Sequence, residues 1–126
     1  MTIKTTKGQA LLPLLIVIVI VLTIGTASIE LAISNVVINR YFQEGLTGYF
    51  TVEAALENAF LRILRNPGYT GENLQINQAS CTIEVSGMSP KIVSARCDTG
   101  RQIRKMQAEI TYNQGIMTVG NIKEVE

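Results

Sequence analysis

The side chains able to do chemistry are few. The 126-residue chain has no histidine and no tryptophan, and its two cysteines are Cys81 and Cys97. Without histidine, the usual general base and the commonest zinc ligand are both missing, and two cysteines cannot close a zinc site alone. Asp98, Glu84, Glu109, Ser86 and Ser94 could serve as acids, bases or nucleophiles, but no spacing among them makes a catalytic motif. Turn and strand-surface roles account for each of them. The expectation is a protein that is not an enzyme and uses no cofactor or metal. A net charge of +1 makes no electrostatic case for nucleic acid or for an acidic partner.

The chemistry that remains is a disulfide. The segment around Cys81 alternates, with Cys81, Ile83 and Val85 apart from Thr82 and Glu84. Gly87-Met88-Ser89-Pro90 reads as a turn, and residues 91–97 as a second strand. A turn centred between Met88 and Ser89, or on Ser89, places Cys81 opposite or nearly opposite Cys97, within bridging reach. Two buried free thiols are the alternative. A redox-active pair is disfavoured because there is no CxxC motif.

These strands need elements to hold them. Asp98-Thr99-Gly100 is a turn signal, and residues 101–112 make a third strand. In it Ile103, Lys105, Gln107, Glu109 and Thr111 face one way; Gln102, Arg104, Met106, Ala108, Ile110 and Tyr112 face the other, which is the better core face from Met106 onward. Asn113-Gln114-Gly115 turns the chain into a fourth strand over residues 116–125. Short turns between consecutive strands mean an antiparallel meander, and four strands with one apolar face need a cover. The cover is upstream: Tyr49, Val52, Leu56, Ala59, Phe60 and Ile63 recur at spacings of three and four, while Glu53, Glu57, Arg62 and Arg65 fall largely on the other side. Asn66-Pro67-Gly68 stops this helix. Gly45 and Gly48 are expected to mark a bend or a short unwound stretch.

Ahead of the amphipathic part, no charge occurs between Lys7 and Glu30. That stretch spans roughly 30 Å as a helix, about one hydrocarbon core, and Leu14 to Leu22 is apolar all round. Lys4 and Lys7 put the N-terminus on the cytoplasmic side and the C-terminal part outside, where a disulfide is permitted. Two other readings stay open: a signal peptide cut after Gly25-Thr26-Ala27 that frees a secreted domain, or an uncleaved single-pass anchor displaying a binding module.

Lys7-Gly8-Gln9 followed by the apolar helix resembles the class III signal of type IV prepilins and pseudopilins. The resemblance implies that a prepilin peptidase cuts between Gly8 and Gln9, that Gln9 becomes the N-methylated residue, and that the apolar helix stays as anchor and assembly element. Phe is usual where Gln9 stands. Major pilins carry Glu where this chain has Pro13, which cannot pair with a neighbour's N-terminal amine; this points to a minor subunit. Tyr49 to Phe60 is similar to the helix segment of PilX-type minor pilins at Glu53, Ala54, Leu56, Glu57 and Ala59, with Ala55 where Gly is usual. Those families also place a β-meander after the helix, often with a disulfide.

The expected fold class is therefore α+β: a long N-terminal helix, transmembrane in its first half, packed on a four-stranded antiparallel meander. The expected divisions are a leader over 1–8, a membrane and assembly helix over 9–29, its amphipathic continuation over 30–66, and a small sheet domain over 67–126. The expected partners are the membrane, other pilins, the prepilin peptidase and the pilus assembly platform. After assembly the protein would lie in a cell-surface filament.

Overall fold

The structure, a computed structural model, describes residues 8–126. Residues 1–7, nearly all of the expected leader, lie outside the described residues. One helix, α1 (Leu11–Arg65), precedes five strands: β1 (Gly71–Ile76), β2 (Ala79–Ser86), β3 (Lys91–Asp98), β4 (Ile103–Asn113) and β5 (Ile116–Val125). The strands pair only with their chain neighbours, all antiparallel, in the order β1-β2-β3-β4-β5. The fold is α+β, as expected, but the meander has five strands rather than four.

The extra strand is β1. Its sequence, GENLQI, is mostly polar, because it sits at a sheet edge and turns only Leu74 and Ile76 toward the core cluster. Two alternating apolar residues are a weak strand signal. Asn77, at a φ of 55°, and Gln78 close the two-residue turn into β2. At the other end Gly71 has a φ of 130°, and a Cβ there would stand 2.1 Å from the Ile83 carbonyl oxygen, so only glycine lets β1 come this close to β2.

The chain divides into two compact units, Met1–Tyr41 and Phe42–Glu126. In the second, one face of the helix covers one face of the sheet. Gly48, Thr51, Val52, Ala55, Leu56, Ala59 and Ile63 are buried from the helix side. Cys81, Ile83, Val93, Ala95, Cys97, Met106, Ala108 and Ile110 are buried from the sheet side. Met106, Ala108 and Ile110 are the β4 residues expected to face inward. Tyr49 and Phe60, expected on the core face, lie at its margin, and Thr51 and Ala55 take the central places.

The helix does not break at Gly45 or Gly48. Their small size has another use. A Cβ on Gly48 would lie 3.4 Å from Arg104 Cδ, and one on Gly45 3.6 Å from the Arg104 guanidinium. The glycines let the Arg104 side chain lie along the helix while its guanidinium donates to Glu124 at 2.6 Å. Close packing against the sheet offsets the usual cost of glycine in a helix, about 1 kcal/mol.

Cys81 is directly opposite Cys97 in the β2–β3 ladder, with Cα atoms 4.1 Å apart, and the two form a disulfide inside the core. The β3–β4 loop is tied by the Gly100 amide donating to Asp98 Oδ1 at 2.7 Å and by Thr99 and Gln102 bonding to each other. Gln114 and Gly115, both at positive φ, make the two-residue turn into β5.

Candidate membrane and assembly surface

From residue 8 to residue 43 every side chain is exposed. Leu12, Leu15, Ile18 and Leu22, with their apolar neighbours, cover the whole circumference of the helix. This part of α1 is long and apolar enough to cross a membrane. Its few hydroxyls are satisfied within the helix: Thr23 donates to the Ile20 carbonyl at 2.8 Å, Thr26 to Leu22 at 3.1 Å, and Ser28 to Ile24 at 2.8 Å. Such internal bonds let polar side chains sit in hydrocarbon without water.

Gly8, Gln9 and Ala10 form an exposed turn ahead of the first helical residue, Leu11. Nothing lies within 4 Å of the place where a Gly8 Cβ would be. Pro13 falls in the first helical turn, where its missing N–H costs no hydrogen bond. There it continues the helix without interruption.

Within the second unit, residues 49–60 divide between two faces. Leu56 and Ala59 are buried against the sheet; Ala54 and Glu57 are exposed, and Glu53 is half-buried. Ala55 is fully buried. The helix face turned away from the sheet is not simply polar. Phe42, Leu46, Phe50, Leu61 and Leu64 lie on it, with Phe50 and Leu61 each 59% exposed. At 100° per residue they share an arc with Glu53 and Glu57. A shallow groove of about 250 Å³ beside this arc is lined by Thr47, Phe50, Thr51, Ala54, Ile76 and Asn77.

This outward apolar stripe went unseen in the sequence because its three- and four-residue spacings overlap those of the core face. Leu46, Phe50, Leu61 and Leu64 were the available signal. Once Val52, Ala55, Leu56, Ala59 and Ile63 are assigned inward, these four cannot be on the same side.

Polar contacts pin the helix end to the sheet. Arg62 Nε lies 3.2 Å from Glu72 Oε1, and Asn58 Nδ2 donates to the same oxygen at 3.3 Å. The Tyr112 hydroxyl donates to the Ile63 carbonyl at 3.2 Å. Lys91 donates to the Pro67 carbonyl, and Arg101 pairs with Glu44. The Tyr69 hydroxyl is buried without a hydrogen-bond partner. Burial first, and the nearby Glu72 carboxylate second, push its pKa up from 10.0 to about 12. The nearby Arg62 guanidinium opposes the shift only in part.

The side chains that could act as acids, bases or nucleophiles are dispersed. Asp98 holds a turn, Glu109 accepts from Asn121 at 3.4 Å, and Glu84 and Ser94 face each other across the β2–β3 ladder. Ser86 ends β2. Among the described residues no three His, Cys, Asp or Glu side chains come together. What the arrangement offers is an extended apolar surface. No protein-family model, no curated protein and no solved structure matches this chain.

Proposed function

We propose that the chain is a minor subunit, of the priming or tip kind, of a type IV pilus or related filament, anchored and then assembled through α1. The observation that carries this reading is the extent of unpartnered apolar helix surface. A hydrocarbon core covers about twenty helical residues. Exposed apolar side chains on α1 continue past that length through Leu31, Ile33, Val36, Ile38, Tyr41, Phe42, Phe50 and Leu61. Lipid cannot cover all of them, and exposed apolar surface of this extent in water calls for a protein partner. Similar helices from other subunits meet both needs, first replacing lipid and then covering the apolar residues beyond it.

In this reading the peptidase removes residues 1–8, and the mature chain waits in the membrane with its sheet domain outside. The Cys81–Cys97 disulfide fits that compartment. An assembly platform then extracts the helix into the filament. Glu53 and Glu57, set within the outward stripe, are suited to pair with cations of a neighbouring subunit. Pro13 favours a position with no subunit to contact at that point, hence minor rather than major.

The test is the N-terminus of the chain after co-expression with an active prepilin peptidase. A start at Gln9 supports the reading. A start at Ser28 means a secreted domain instead. A chain that keeps Met1 or Thr2 is a plain membrane-anchored module, and the filament mechanism falls.

A further inference from the structure

We propose that Gln9, once it is the N-terminal residue, closes on itself to a pyroglutamyl lactam, so that the mature helix begins with a neutral end. The inference rests on leader cleavage after Gly8. In the step, the free α-amine of Gln9 attacks its own side-chain carbonyl carbon. A C–N bond forms to Cδ, the bond from Cδ to Nε2 breaks, and ammonia leaves with the proton released by the amine. No oxidant, reductant or second substrate is needed.

Three observations favour the neutral product. First, Gln9 lies in the exposed turn ahead of Leu11, outside the helix, so its side chain and backbone nitrogen are free to approach each other. Second, a charged amine here would have no counterion in the adjoining part of the helix. The first turn of α1 holds no acid, and the next carboxylate after residue 9 is Glu30, roughly 30 Å further along a helix. An unpaired ammonium is costly at the edge of an apolar segment. Third, the amine would stand at the positive end of a long helix, where a further positive charge is unfavourable. Ring closure removes the charge, as terminal capping does in general. Pro13 belongs to the same pattern: a neutral terminus needs no carboxylate in the first turn.

Ring closure and N-methylation use the same nitrogen, and mass separates them. The full chain is co-expressed with a prepilin peptidase and extracted from membranes. An isotope-labelled peptide beginning at Gln9 is added at lysis, and the N-terminal fragments are sequenced by mass spectrometry. The expected result is a chain starting at residue 9 and lighter by one ammonia, unreactive to amine reagents, while the added peptide stays open. A Gln9→Phe variant, which cannot cyclise, is expected to show a reactive amine after the same cut. A chain starting at Gln9 with a free or methylated amine overturns the lactam and leaves leader cleavage standing. Equal closure of chain and added peptide also overturns it, since the ring then arises in handling. A retained Met1 removes both the cleavage and the lactam.

Discussion

Two stretches of α1 carry similar apolar side chains and meet different surroundings. Over residues 11–41 no side chain is buried. Over residues 42–65 one face is closed off, with Val52, Ala55, Ala59 and Ile63 at 0% exposure. The difference lies in the small residues. Gly48, Ala55 and Ala59 allow the sheet to approach the second stretch closely, whereas Leu14 to Leu22 of the first present Leu, Ile and Val around the full circumference. Apolar content alone therefore does not say what covers a helix. In the second stretch small residues meet a sheet, and its close approach gains dispersion contacts.

The sharpest way to break this comparison is to place the same charge in each region. Val93→Asp puts a carboxylate at a fully buried site and is expected to cost about 4 kcal/mol, unfolding much of the sheet. Val19→Asp should leave the sheet intact and weaken membrane insertion by about 3 kcal/mol. Hydrogen exchange of the β2–β4 amides of the full chain in micelles, with a membrane-fractionation assay beside it, separates the two. Equal loss of sheet protection in both variants would mean that the two stretches are one folding unit.

Next in size is the disulfide. Reduction of Cys81–Cys97 releases a loop whose closure is worth about 3 kcal/mol to the sheet domain. A denaturant titration with and without reductant should show that loss, and no change in membrane association. A smaller effect is expected from size rather than charge. Gly48→Leu must displace Arg104 and should destabilise the domain by about 2 kcal/mol. Gly25→Leu meets open space and should leave it unchanged. If both are silent, the glycine–Arg104 packing contributes nothing.

The smallest effect is confined to high pH. Tyr69 titrates near 12 when folded and at its ordinary 10.0 when unfolded. Its neutral form is thus favoured by folding. The contribution is fully present below pH 10 and is lost as pH rises through about 12. Tyr69→Phe should flatten that part of a stability-against-pH curve and cost little at neutral pH, where the hydroxyl has no partner to lose. An unchanged slope between pH 10 and 12 would show that this phenol is not perturbed.

Much of the fold was legible because its signals are local. The alternation through Cys81–Val85, the Gly87–Pro90 turn and the core face of β4 follow from period and turn chemistry, and they put Cys81 opposite Cys97 without any tertiary information. The end of α1 at Arg65 follows from Pro67. The β1 strand was not legible, because an edge strand with one half-covered face has little apolar alternation to show. Gly45 and Gly48 were misread as a bend for a related reason: glycine lowers helix propensity, but the surface that rewards its smallness lies on β4, distant in the chain.

The candidate site divides the same way. The apolar run between Lys7 and Glu30, the Gly8-Gln9 junction and the proline at position 13 belong to the sequence alone, since hydropathy and covalent order need no fold. That a second apolar face of residues 42–65 stays uncovered was decided only by the tertiary structure. Two apolar faces interleave there at helical spacing: the spacing alone assigns Val52, Leu56, Ala59 and Ile63 to the covered face, and only the docked sheet shows that Phe50 and Leu61 stay exposed. The physical reason is that a helix period fixes which residues share a face, while how much of the remaining apolar surface is buried depends on the width of what packs against it.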